Sequence, residues 1–122
     1  MVGIFRSMKY FFWLQFRCDL DEIEKRCGYS ALDRMSQRTL EWVANEEKAR
    51  PVIHVQTVIM ESGVASPATL HKALRSLHDE GFLSIETDKK DTRRRIIKTT
   101  PKARNMLDRL SSELIKMALR AR

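Results

Sequence analysis

The chain is poor in glycine, proline and cysteine, with four, three and two of each, and it has no long apolar run. A membrane-spanning helix needs roughly 18 or more uninterrupted apolar residues. The nearest approach, Tyr10 to Phe16, already contains Gln15. Lys9 and Arg17 flank that run and no small-residue cleavage site follows, so it does not read as a signal peptide. The expectation is a cytoplasmic protein without a membrane partner. With so few glycines there is no Gly-rich loop to cradle a phosphate, and His54, His71 and His78 have no Ser or Asp at triad-like spacing. An enzyme is not expected. Cys18 and Cys27 have no histidine near them, whereas a zinc site needs tighter spacing and three or four ligands. No metal or other cofactor is expected. The cysteines read as a reduced pair packed as small hydrophobes, and a redox response of the two is left open.

What is present describes an ordinary globular chain: 43% hydrophobic and 32% charged residues in a length suited to one domain. The formal net charge is +7 and is unevenly placed. Residues 1–62 carry 9 basic and 9 acidic side chains, residues 63–122 carry 14 and 7, so the whole excess lies in the second half. A positive field over one region suits a polyanion.

The three prolines punctuate the chain. Residues 1–25, aromatic and then acidic, read as a helix that Gly28 ends. A helix over residues 31–49 is expected next, with Ser30 as its N-cap and Asp33 three residues on. Leu32, Met35, Thr39, Trp42 and Val43 would form its apolar face. Arg50-Pro51 stops it. Val52, Ile53 and Val55 suggest a short extended piece, then a compact helix over residues 56–61 and a turn at Ser62-Gly63. Ser66-Pro67 is the strongest helix start in the chain, a capping hydroxyl followed by the imino acid that tolerates the first helical position. That helix should reach Asp79 and end at Gly81. Residues 82–87 and 95–99 read as strands joined by a charged loop. Thr100-Pro101 repeats the cap-plus-proline device and opens a last helix, where Ala103, Met106, Leu107, Leu110, Leu114 and Met117 recur every three or four residues. This order makes the fold mainly α with a small β-hairpin, an α+β winged helix-turn-helix with helices at both ends.

At 100° per residue, Leu70, Ala73, Leu74 and Leu77 share one stripe of the helix 66–79 and must face the core. The other side offers Ser66, Ala68, Thr69, His71, Lys72, Arg75 and Ser76. Small residues at the helix start allow close approach to a DNA groove, and recognition helices enter the major groove with that end foremost. Arg75 is the candidate for a base contact, because its fork matches guanine O6 and N7. Lys72 suits a phosphate, and His71 on the flank could touch another. The wing, residues 88–95, sets Lys89, Lys90, Arg93, Arg94 and Arg95 against few carboxylates. A bare cluster of this kind calls for a compensating anion, and a narrow minor groove or the phosphates would supply one. Asp91, beside Arg93, is read as structural, fixing the loop and orienting the guanidinium.

The stretch Gly63-Val-Ala-Ser-Pro-Ala-Thr-Leu-His-Lys-Ala-Leu-Arg-Ser-Leu-His-Asp-Glu-Gly-Phe-Leu resembles the helix-turn-helix of MarR-type (multiple antibiotic resistance regulator) proteins. Asp91-Thr-Arg93-Arg94, then Ile96, Ile97 and Thr100-Pro101-Lys102-Ala103, is similar to that family's wing and the start of its next helix. The resemblance covers residues 52–102, and the family's Asp-x-Arg element maps onto Asp91 and Arg93. It implies a sequence-specific regulator of transcription on double-stranded DNA, a repressor occupying its operator. The last helix is short for the family, and Ala103 stands where the family often has Gly. Members often respond to phenolic ligands or to cysteine oxidation. An effector for this chain has no residue pattern of its own behind it, since Trp13, Trp42 and the methionines fit a core as well as a pocket.

The expected organisation is residues 1–30 as an N-terminal helical extension, 31–100 as the DNA-binding domain and 101–122 as a C-terminal helix. Phe5, Met8, Phe11, Phe12 and Leu14, with Leu110, Leu114 and Met117, are apolar material for a homodimer seam. Two other readings share the fold. One is a plasmid or phage replication or partition factor binding repeated sites. The other is a protein–protein scaffold, whose uncharged wing or apolar helix face is not seen here.

Overall fold

The computed structural model describes the backbone of residues 2–120 and the side chains of residues 9–120. It forms two compact units, one of residues up to Ala31 together with those from Met106 on, the other Leu32–Asn105.

In the first unit, α1 (Val2–Arg26) carries Gln15 donating to Asp19 at 3.0 Å and Arg17 3.7 Å from Asp21, both four residues apart on one helix face. Gly28, at φ +82°, turns the chain out of the helix in a conformation other residues rarely adopt. A short 3₁₀ turn, Tyr29–Ala31, follows. Ile23, Cys27 and Tyr29 are buried. Cys18 is exposed, which corrects the expectation of a packed cysteine pair. The covered positions run 16, 19, 20, 23, 24, 27, and position 18 falls off that helical stripe. The last helix, α5 (Pro101–Arg120), supplies Glu113, 3.3 Å from Arg26, and Arg109, which donates to the Arg26 carbonyl at 3.3 Å. A cation thereby satisfies a backbone oxygen that the end of a helix leaves open.

The second unit starts with α2 (Arg34–Glu46). Its cap is Asp33, whose carboxylate accepts from the Ser36 N–H at 2.9 Å and the Ser36 hydroxyl at 3.0 Å. Ser30 does not cap it, because residues 29–31 are already wound into the 3₁₀ turn. The buried face is Ser36, Thr39, Leu40 and Val43, with Met35 and Trp42 only half-covered. The apolar stripe is therefore turned by part of a residue spacing from the one expected. Ser36 can go inside because its hydroxyl donates to Asp33, and Thr39 because it donates to the Met35 carbonyl at 2.7 Å. The helix also stops short of residue 49. Glu47 reaches strand residue Thr99, accepting from its N–H at 3.1 Å and its hydroxyl at 2.6 Å, and Arg50 precedes a proline, where helical backbone is disfavoured.

Strand β1 is only Ile53–His54, and α3 (Val55–Glu61) begins at buried Val55, one residue before its expected start. After the turn comes α4 (Pro67–Asp79). The Ser66 hydroxyl accepts from the Thr69 N–H at 3.4 Å and donates to the Thr69 hydroxyl at 3.1 Å. Leu70, Ala73, Leu74 and Leu77 are buried, as their spacing predicts. Gly81 closes the helix at φ +82°. Its N–H donates to the His78 carbonyl at 3.0 Å, and the Phe82 N–H to the Leu77 carbonyl at 2.8 Å. That pair of bonds is the Schellman closure, and it takes Phe82 out of the strand expected to start there.

Strands β2 (Leu83–Thr87) and β3 (Arg95–Thr99) form the hairpin. The sheet is antiparallel in the order β1-β3-β2, with Ile53 and Ile85 on either side of Ile97. Thr100 begins α5, its hydroxyl accepting from the Ala103 N–H at 3.3 Å and donating to the Gly81 carbonyl at 2.6 Å. Lys102 donates to the Glu80 carbonyl at 2.6 Å and lies 4.5 Å from the centre of the Phe82 ring. The end of α4 is thus held by the start of α5. Leu40, Val43, Val58, Leu70, Leu77 and Ile97 are almost wholly buried, and each such side chain stabilises the fold by about 1.5–3 kcal/mol relative to exposure.

Candidate nucleic-acid interface

The buried stripe of α4 turns its other side outward. Ser66, Ala68, His71, Lys72 and Arg75 are exposed, while Thr69 and Ser76 are half-buried. One carboxylate of the unit senses this surface. Asp33 is held below the ordinary aspartate range chiefly by the Ser36 N–H, and Lys72 adds a smaller pull in the same direction. The positive end of Lys72 is therefore felt at the start of α2.

In the wing, two aspartates shape the loop between β2 and β3. Asp88 accepts from the Lys90 N–H at 2.8 Å, and Asp91 accepts from the Arg93 N–H and from its Nε, both at 3.2 Å. Each is a side chain bonding to backbone two residues on, the Asx-turn device. Main-chain bonds close the loop, the Asp88 N–H to the Arg94 carbonyl and the Arg94 N–H to the Asp91 carbonyl, each at 2.9 Å. Lys89, Lys90, Arg93, Arg94 and Arg95 are all exposed.

Sequence reasoning missed the partner of Asp88. His54 Nε2 lies 2.8 Å from its carboxylate, and both side chains are about 85% covered, with 15% and 13% left exposed. His54 above all, then the Lys90 N–H, hold the Asp88 carboxyl below its usual range. The contact ties the root of the wing to the residue before α3. No local pattern reveals it, because 34 positions separate the two; only the pairing of β1 with β3 brings them near.

The register of the hairpin decides which wing residues meet α4. Thr87 pairs with Arg95 and Ile85 with Ile97, while Glu86 pairs with Ile96 and Ser84 with Lys98. Because side chains alternate across a sheet, Arg95 shares a face with Thr87, Ile85 and Ile97, and Lys98 lies on the other. That first face and α4 bound a cleft of about 380 Å³. Val55, Leu74 and Ile85 make its apolar part, and His71, Arg75, His78 and Arg95 give it polar walls. The structure therefore brings Arg75 and His71 of the helix together with Arg95 of the wing. Ala68, Lys72, Lys89, Lys90, Arg93 and Arg94 are outside the cleft lining. His78 is half-exposed and lines the cleft as well.

No group of three or more His, Cys, Asp or Glu side chains gathers into a metal-binding cluster among the described residues. No helix among them is long and apolar enough to cross a membrane. Trp13, offered by the sequence as core or pocket lining, is 62% exposed, and Trp42 is half-buried.

No protein-family model and no curated protein matches the chain. Solved structures do. A mutant of Staphylococcus aureus MepR bound to an oligodeoxyribonucleotide is 15% identical, covering 93% of this chain and 80% of its own, with a TM-score of 0.73. The S. aureus MepR–DNA complex is 15% identical over 94% of this chain and 85% of its own, at 0.67. The transcriptional regulator Tm0710 from Thermotoga maritima is 14% identical over 95% and 78%, at 0.66. The fold is the MarR-type winged helix. It bears out the resemblance read in residues 52–102, and the α+β class with it. Within this MarR-type fold, α3 and α4 form the helix-turn-helix and the β2–β3 hairpin forms the wing.

Proposed function

We propose that this chain is a sequence-specific regulator of transcription that binds double-stranded DNA and represses by occupying an operator. The observation that carries the reading is the cleft that an arginine of α4 and an arginine of the wing both line, beside an exposed α4 surface and a loop with four more cations. A helix of α4's dimensions fits the major groove, about 12 Å wide. Its start is the leading end, with Ser66, Ala68 and Thr69 close to the base edges. Arg75 pairs with guanine, and Lys72 and His71 take phosphates. Arg93 and Arg94, with Lys89 and Lys90, reach the adjacent minor groove or its phosphates. The MepR structures bound to DNA support this choice of ligand.

The regulator acts as a homodimer. Tyr10, Phe11, Phe12 and Trp13 on α1 are each more than 60% exposed, and Leu114, Ile115 and Leu119 on α5 are also uncovered. Apolar surface of that extent on a small chain marks an association face. Phe5 and Met8, proposed for the same seam, have side chains outside the described residues. Sedimentation at micromolar concentration should give twice the chain mass, and Phe12→Asp with Trp13→Asp should give the chain mass.

Selection of bound sites from a random duplex pool tests the whole reading. An enriched inverted repeat, with half-sites about one helical turn apart, is the expected product. Enriched direct repeats would replace the regulator by a replication or partition factor. A pool without enrichment would leave a scaffold.

A further inference from the structure

The cleft between α4 and the wing holds two imidazoles that sequence readout by Arg75 does not require. We infer that it seats a backbone phosphodiester of the bound duplex, and that His71 and His78 take up protons as the phosphate enters. The inference rests on the DNA-binding proposal and deepens it.

Three observations carry it. First, the cleft lies between α4 and the strand leading to the wing; with α4 in the major groove and the wing at the minor groove, as proposed above, the sugar-phosphate strand dividing the two grooves passes there. Second, its polar walls are His71, Arg75, His78 and Arg95, and no carboxylate is among the lining residues described. The other elements at the cleft add no titratable group: α3 gives Val55, and β2 gives Ile85 and Thr87. Among the described residues, the carboxylate paired with either imidazole is Asp79, 3.5 Å from His78 Nδ1 and 68% exposed. Third, the register fixes Arg95 on the cleft side of the sheet and Lys98 on the far side, so the wall cannot exchange one cation for the other by a small rotation.

Arg95 is charged at every working pH. Histidine changes charge between about pH 5 and 8, and an anion within roughly 4–6 Å favours the protonated ring. A phosphodiester stays ionised throughout that range. Binding therefore prefers the doubly protonated cleft, and by linkage the complex must tighten as protons become available.

The test is duplex affinity between pH 6 and pH 8 at one salt concentration, with proton uptake measured by calorimetry in buffers of different ionisation heat. The wild-type chain should bind roughly three- to tenfold more tightly at pH 6 than at pH 8 for each engaged histidine, and should take up protons near pH 7. His71→Gln with His78→Gln should flatten the pH curve and abolish the uptake, and circular dichroism at each pH shows that the fold is kept. Lys98→Gln, on the opposite face of the sheet, should retain the wild-type pH slope. A pH-independent wild-type affinity overturns the inference and leaves the DNA-binding proposal standing. A double histidine variant that keeps the slope overturns it in the same way. Failure to bind any duplex at either pH overturns both.

Discussion

Removing the two tip arginines of the wing, Arg93 and Arg94, gives a measurement whose size can be worked out in advance. Both are exposed, Arg93 at 90% of its side-chain surface, so neither supports the core and truncation should leave folding intact. Each phosphate contact contributes roughly 0.9 to the slope of log affinity against log salt. Two lost contacts should shrink that slope by about 1.8, a difference of roughly twelvefold in salt sensitivity between about 50 and 200 mM. The two arginines are not equivalent. Asp91 sits 3.2 Å from Arg93 Nε, and removing Arg93 leaves that carboxylate bare beside DNA, so Arg93→Ala should weaken binding more than Arg94→Ala. Asp91→Asn separates charge from shape: the amide oxygen still accepts from the Arg93 N–H while the repulsion goes, and affinity should rise. Fluorescence anisotropy of a labelled duplex across a salt series reads all four variants. A double variant with the wild-type slope would take the wing out of the interface.

Arg75→Ala should cost about 1–3 kcal/mol on the selected site and blur preference at one base pair; uniform weakening on all duplexes would make Arg75 a phosphate contact. Leu40→Ala, at a position with no exposed surface, should lower stability by about 2–5 kcal/mol in urea unfolding, and a loss under about 1 kcal/mol would contradict the burial. Asp33 is held below its ordinary range, so the stability it contributes is complete above the unfolded aspartate range and disappears as pH falls through the folded value. Asp33→Asn keeps a capping oxygen without a titration, and its unfolding midpoint should fall less steeply than wild type between about pH 5 and 3. Parallel curves would mean that the cap does not titrate. Asp33→Ala should cost on the order of 1 kcal/mol at neutral pH.

The parts of the fold legible in the sequence are those specified locally. Ser66-Pro67, the leucine spacing of α4 and Gly81 each act over a few residues, and the helix they predict is the one found. Thr100-Pro101 is equally local, and so is the charged loop between two apolar strands. What the sequence hides depends on partners far along the chain. Glu47 leaves α2 for Thr99, and Asp88 finds His54; neither acid looks different from its neighbours until the strands are paired. The start of α2 is ambiguous in the sequence because Ser30 and Asp33 are both good caps, and only the 3₁₀ turn at residues 29–31 decides between them. In the candidate site, exposure of Lys72 and Arg75 follows from helical period alone. The meeting of Arg75 with Arg95 needs the hairpin register, which no count along the sequence supplies.

The place of β3 in the sheet has a bearing on motion. As the middle strand it is bonded on both edges, to β1 and to β2, so the hairpin cannot swing as a hinged flap without tearing one of the two ladders. Amide exchange at Ile96 and Ile97 should be as slow as in the helices around them, while the exposed turn of residues 89–93, held by side-chain bonds to the Lys90 and Arg93 N–H, exchanges faster. Whatever adapts to an irregular groove does so within that short tip, and the segment beneath it stays as a fixed stem.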